Sequence, residues 1–213
     1  MVLTMTTHEV RKVLLPSSGI GTQSQLIFHK YGPTGRGKKV YIQASLHADE
    51  LPGMLVAHHL IKLLEEADKQ NLVAQEILIV PFANPIGLGQ NFLGKHQGRF
   101  STASGVNFNR SFADPFQAVV KRVDGRLHET SLEENVRIIR EALINELDGR
   151  LDPSSGVKSV EEVMKLHLLR GACDADLVLD LHCDCSKFVI LLLCLAFRCH
   201  FVSSYLACTC TLC

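Results

Sequence analysis

Two imidazoles and one carboxylate stand out in this chain of 213 residues: the pattern His47-x-x-Glu50 and, far downstream, His182. Two neutral histidine nitrogens and a carboxylate oxygen are the donor set of hydrolytic zinc sites, which leave a fourth position to water and bring that water's pKa down to about 7. The short spacing lets a single bend of the chain supply two ligands. As a bare tetrapeptide, His-x-x-Glu is common, and a histidine beside a helix start is usually structural. The elements that position these residues therefore decide what the pattern is worth.

Val40-Tyr41-Ile42 reads as a strand that ends at the polar corner His47-Ala48-Asp49-Glu50. From Leu51 to Ala67 the residues Leu55, Leu60, Ile61, Leu63 and Leu64 recur at helical spacing, with Pro52 tolerated in the first turn. Glu76 to Val80 is an apolar strand closed by Pro81 and Asn84-Pro85. The runs Gln25 to Phe28 and Val40 to Ser45 flank the turn-rich Gly32–Gly37 and predict a hairpin. Gly87 to Asn109 reads as loop. Leu132, Val136, Ile139, Leu143 and Leu147 form one face of a helix opened by a capping box, Ser131 and Glu134. A second box, Ser159 and Glu162, opens a helix that stops near Gly171, and the strand Leu177-Val178-Leu179 ends at His182. This alternation predicts an α/β fold with a mainly parallel mixed sheet flanked by helices. In such sheets ligands collect at the carboxyl ends of strands, so the two histidine corners can meet in space. Side chains two apart on a strand share a face, which makes Asp180 or Asp184 a candidate to hold the ring nitrogen of His182 opposite a metal.

Several ordered motifs go further. Leu46-His-Ala-Asp-Glu-Leu-Pro-Gly53, Ala83-Asn-Pro-Ile-Gly87, Gly98-Arg-Phe100, Val106-Asn-Phe-Asn-Arg-Ser111 and Asp180-Leu-His-Cys-Asp184 resemble the succinylglutamate desuccinylase and aspartoacylase family, a branch of the zinc carboxypeptidase superfamily, over about residues 20 to 184. The resemblance implies a zinc-carboxypeptidase-like fold holding one Zn2+ per chain, with His47, Glu50 and His182 as ligands. It implies Arg99 and Arg110 as pocket cations and Asn109 as the amide beside them, acting on a small carboxylate substrate. A guanidinium grips a carboxylate through two parallel hydrogen bonds and can also stabilise an oxyanion formed on a carbonyl. Arg110 is assigned to the carboxylate and Arg99, as the catalytic cation, to the carbonyl. The implied reaction is hydrolysis of the amide bond of an N-acyl amino acid or related compound. One departure stands out: the family's general-base Glu lies in a later segment, and no Glu follows His182. The expected organisation is a partial catalytic domain over residues 1–186, incomplete at its C-terminal side, and an apolar, Cys-rich tail over 187–213. The alternative is a zinc-binding relative without turnover.

Lys plus Arg and Asp plus Glu both number 22, so a formal net charge of zero gives no electrostatic footprint for nucleic acid or an anionic membrane. Of the eight cysteines only Cys173 precedes Cys183, which argues against a disulfide framework and for a reducing, cytoplasmic compartment. No targeting segment is visible between Met1 and Gly19. The run Phe188–Phe197 is about half the ~20 residues of a membrane span and reads as a buried strand or short helix. Gly32-Pro-Thr-Gly-Arg-Gly-Lys38 fits Gly-x4-Gly-Lys, but Lys39 stands where a phosphate loop needs Ser or Thr. Cys183-x-Cys185 with Cys208-x-Cys210-x-x-Cys213 lacks the paired Cys-x-x-Cys of zinc ribbons, and no Gly-x-Ser-x-Gly occurs. His58, His59, His128, His167 and His200 have no partner pattern and read as structural; His96, near the pocket loop, stays open.

Overall fold

A computed structural model describes residues 7–17 and 19–183, together with the backbone of 189–195. The elements in order are β1 (Glu9–Leu14), β2 (Gln25–Tyr31), β3 (Lys39–Ala44), α1 (Leu51–Lys69), β4 (Glu76–Val80), α2 (Pro85–Leu88), β5 (Asn91–Phe92), β6 (Lys95–His96), α3 (Phe116–Val123), α4 (Leu132–Leu151), α5 (Val160–Ala172), β7 (Leu177–Cys183) and β8 (Val189–Leu195). Six strands form one sheet in the order β1-β2-β4-β3-β7-β8. Its centre, β4-β3-β7, is parallel, and antiparallel strands flank it on both sides.

The centre is parallel because its strands are apolar on both faces and each face meets a helix. Alternate residues of β3 point opposite ways. Tyr41 joins Phe28, Leu78, Met164 and Leu168 in the cluster under α5, and Ile42 and Ala44 join Ile79, Leu181 and Ala57 under α1. Gly171 allows the close approach of α5, since a Cβ there would stand 3.0 Å from the Tyr41 ring. Helices α3 and α4 pack against α5 around Leu166 and Leu169. Both expected Ser caps are present: the Glu134 N–H donates to Ser131 Oγ and the Glu162 N–H to Ser159 Oγ.

The expected hairpin does not form. β4 inserts between β2 and β3, antiparallel to the first and parallel to the second. The physical reason is burial. Leu78, Ile79 and Val80 are buried with side chains on both faces of the sheet, so β4 belongs inside the sheet and displaces the neighbour in sequence. The Gly32–Gly37 turn remains, with its glycines at positive φ, and its N–H groups serve the protein itself: Gly35 N donates to Glu76 and Lys38 N to Gln75. β3 follows it directly, which excludes a phosphate loop. β1 escapes a periodicity reading because it is an exposed, charged edge strand. Asp184, Cys185, Cys199, His200, Cys208, Cys210 and Cys213 lie outside the described residues, and Cys194 falls in the backbone of β8. Of the run 188–197, residues 189–195 form β8.

Candidate metal centre

The parallel register pairs Ala44 of β3 with Leu181 of β7, so the segment after β3 and the end of β7 leave the sheet side by side. Between β3 and α1 the chain makes a sharp corner. Ser45 is buried at φ 64°, a left-handed conformation uncommon for a residue other than glycine, and its hydroxyl has no hydrogen-bond partner among the described residues. His47 and Glu50 follow, and α1 begins at once. Glu50 occupies the N-cap position of α1 but caps nothing, because its carboxylate is turned to the histidines. Gly53 lets the first turn of α1 reach β7; a Cβ there would stand 2.9 Å from the Leu181 carbonyl oxygen.

Two loops brace this corner. Asn84 donates to the Leu46 carbonyl at 2.9 Å and accepts from Gly87 N at 2.8 Å. Ala48 N donates to the Gly98 carbonyl at 2.9 Å. Gly98 lies against the corner so closely that a Cβ would fall 2.1 Å from Asp49 N. This contact carries Arg99 onto the site.

His47, Glu50 and His182 are all buried, and one donor atom from each lies within 4.8 Å of the others. Glu50 sits between the rings, with Oε1 2.9 Å from His47 Nδ1 and Oε2 2.8 Å from His182 Nδ1. The outer nitrogens have partners of their own. His47 Nε2 is 2.9 Å from Asn107 Oδ1, and His182 Nε2 is 3.0 Å from Asp180 Oδ2. The N–H of Asn109 also donates to Asn107 Oδ1, at 2.8 Å, which marks that atom as the carbonyl oxygen, so His47 Nε2 must carry the proton. Nδ1 is thereby the nitrogen that faces inward, toward Glu50, where a metal ligand is needed. Two inward nitrogens, a carboxylate and an oxygen behind each ring make a donor set that fits a divalent metal.

The electrostatics are those of a site built around positive charge. Burial alone raises the Glu50 carboxyl, but hydrogen bonds from His182, His47 and the N–H of Cys183 outweigh it and hold the group well below the usual carboxylate range. Burial alone lowers the His182 imidazolium, but hydrogen bonds to Asp180 and Glu50 prevail and its pKa is pushed up to about 9.

Arg99 reaches the same cluster: Nη2 donates to Glu50 Oε1 at 2.6 Å and Nη1 lies 3.1 Å from His47 Nδ1. The Asn109 amide nitrogen lies 3.5 Å from His182 Nε2. Arg110 is exposed and donates Nη1 to the Asn109 carbonyl at 2.7 Å, and no contact among the described residues joins its guanidinium to a candidate ligand. His96 binds the Gly87 carbonyl at 3.0 Å, and His58 and His59 lie edge to face on exposed positions of α1.

Three contributors were not singled out by sequence reasoning. Asn107 lies inside the Val106–Ser111 motif, and its alternation with Asn109 was the available signal. Lys165 of α5 is buried and donates to the Arg110 carbonyl at 2.7 Å, while Glu161, one turn earlier, accepts from Ser101 at 2.7 Å. Both pin pocket loops to α5, and no local pattern announces that.

Residues 36–161 match the model of the succinylglutamate desuccinylase/aspartoacylase catalytic domain. Among solved structures, a succinylglutamate desuccinylase/aspartoacylase of Shewanella frigidimarina NCIMB 400 superposes with a TM-score of 0.72 at 28% identity, over 84% of this chain and 47% of its own. A family protein from Shewanella amazonensis SB2B gives 0.68 at 30% identity, over 83% and 47%. One from Rhodobacter sphaeroides, 15% identical with a TM-score of 0.50, shares the fold. The chain thus spans about half the length of the first two. No curated protein matches it.

Proposed function

The chain belongs to the succinylglutamate desuccinylase/aspartoacylase family, and from that premise we propose that it holds one zinc ion through His47, Glu50 and His182 and hydrolyses the amide bond of an N-acyl amino acid or related small carboxylate. The observation that carries this reading is the convergence of two inward nitrogens and a carboxylate within 4.8 Å in a buried corner. Bound there, zinc supplies a Lewis acid for the scissile carbonyl and a water acidified toward ~7.

The chain's own residues do the rest. Asn107 and Asp180 hold the two rings in orientation. Arg99 stands on the open side of the ligands, where a guanidinium can bind a carbonyl oxygen as charge develops. Arg110, whose guanidinium suits the fork geometry of a substrate carboxylate, follows Asn109, whose amide reaches His182. In this reading residues 1–186 provide the metal corner and pocket, and 187–213 are a tail whose strand β8 joins the sheet beside β7. The setting is cytoplasmic; no described helix is long and apolar enough to cross a membrane.

One observation favours a second reading. Among the described residues no Glu follows His182, so none of them there supplies the proton-transfer group that the family resemblance implies. A chain that keeps the metal and pocket without that base binds carboxylates and does not turn them over. Zinc per purified chain, measured for the wild type and His182→Ala, tests the metal site; one zinc lost in the variant supports it, and zinc indifferent to His182 refutes it. Release of amino acid from N-acyl amino acids then separates enzyme from binder.

A further inference from the structure

We propose that Phe100 is a specificity-determining residue: an aromatic platform beside the candidate metal centre that receives an apolar group of the substrate, carried on its acyl part or on its amino-acid side chain. The inference rests on the carboxylate-hydrolase reading above and narrows its substrate class.

Phe100 and Asn107 stand opposite each other in an isolated antiparallel bridge. The flanking bonds run from Phe108 N to the Arg99 carbonyl at 3.1 Å and from Ser101 N to the Val106 carbonyl at 2.9 Å. They make this the closely spaced kind of pair, whose two side chains share one face of the ladder. Asn107 directs its side chain to the metal corner, with Oδ1 2.9 Å from His47 Nε2. Phe108, next in the chain and on the opposite face, is buried in the core under α5. The Phe100 ring therefore lies on the side of the histidine corner and not on the side of the core. Phe100 is 51% exposed, and Arg99, one residue earlier, reaches Glu50 and His47.

The backbone that carries the ring is fixed. The Phe100 carbonyl accepts from Gln90 Nε2 at 2.8 Å, and Gln90 Oε1 accepts from Thr102 N at 2.8 Å. Gly105, at positive φ, closes the turn through its N–H to the Ser101 carbonyl at 2.8 Å, and Ser101 Oγ donates to Glu161 of α5 at 2.7 Å. A fixed aromatic face covers an apolar ligand with little ordering left to lose. Half in water, so large a side chain forgoes much of the gain that burial would bring. An exposed aromatic beside a few convergent polar groups is the usual make-up of a small-molecule site. A ligand that places an aromatic or branched aliphatic group on the ring completes that burial. One that places a second carboxylate there loses hydration without gaining a partner.

Calorimetric titration of the full chain with zinc supplied tests this, with N-acetylphenylalanine, N-benzoylglycine and N-acetylaspartate as ligands of wild type, Phe100→Ala and Phe100→Leu. The wild type is expected to bind one or both aromatic ligands about tenfold tighter than N-acetylaspartate. Phe100→Ala should lose that preference, and Phe100→Leu should keep most of it. Loss confined to N-acetylphenylalanine places the amino-acid side chain on Phe100; loss confined to N-benzoylglycine places the acyl group there. A wild type that prefers neither aromatic ligand overturns the inference, as does a Phe100→Ala variant whose three affinities change alike or not at all. In those cases binding of N-acetylaspartate leaves the carboxylate reading standing. Absence of binding of all three ligands to the wild type overturns that reading itself, and the inference with it.

Discussion

Ala44 and Leu181 are register partners across the parallel pair β3–β7. That one pairing brings the His47–Glu50 corner against His182, with the N–H of Cys183, next along β7, donating to Glu50 at 2.9 Å. A candidate ligand set drawn from distant parts of the described chain is thereby assembled by backbone register, and the loops around it hold the corner in place.

Asn107 should matter through hydrogen bonding and not through bulk. Asn107→Leu removes the acceptor from His47 Nε2, and zinc affinity should fall about 10- to 100-fold. Asn107→Asp keeps an oxygen for both His47 and the Asn109 N–H and should bind zinc close to the wild-type level. Chelator competition on the three proteins checks this; equal loss in both variants would show that Asn107 fills space only.

Gly98→Ala places a methyl group where Asp49 N stands 2.1 Å away. The obstacle is backbone, so the 97–99 loop must retreat from the corner. We expect a loss of about 1–3 kcal/mol in urea unfolding, the usual cost of overpacking, together with weaker zinc binding. Gly105→Ala is a poor control because of its positive φ; Gly149→Ala, in open space on α4, is the appropriate one.

Lys165→Met leaves the Arg110 carbonyl without its donor. The buried ammonium is already held below its ordinary pKa by burial, against the opposing field of Glu161. Loss of the bond should lower stability by about 1–3 kcal/mol. Zinc affinity should change little, because Lys165 touches no candidate ligand, whereas affinity for carboxylate ligands should fall as the Asn109–Arg110 loop loosens. Calorimetric titration with an N-acyl amino acid, beside zinc titration, distinguishes the two effects.

Acid should weaken the protein through His29. Burial lowers its pKa, the adjacent His8 ring at 3.2 Å lowers it further, and Glu65 opposes both. The folded pKa thus lies below the unfolded value near 6.5, so around that pH the unfolded chain binds more protons and stability rises with pH. The contribution is intact above about 6.5 and is lost as the pH falls below it. Urea midpoints at pH 7.5 and 5.5 should show a smaller drop for His29→Gln than for the wild type; an unchanged drop assigns the acid sensitivity elsewhere.

Much of the candidate site's placement is legible in the sequence. His47, Glu50 and His182 stand at the ends of elements whose periodicity is plain, and Ser131 and Ser159 announce their helices through local hydrogen bonds. Local rules failed where long-range burial overrode them. The Gly32–Gly37 turn satisfies every hairpin signal, yet β4 takes the place beside β3 because its apolar residues need cover on both faces. Glu50 stands at an N-cap and does not cap, since the histidines claim its carboxylate.

The order of residues determined which side chains can share a helix or strand face, where helices start and which donors are present, because these depend on neighbours within a few positions. Strand order, the oxygen behind each histidine, the grip of Lys165 on the Arg110 loop and the seating of Arg99 on Glu50 were decided only by the tertiary structure. Periodicity says that a face must be buried and is silent about which distant surface will bury it; that choice is made when the whole sheet closes over its two helical layers.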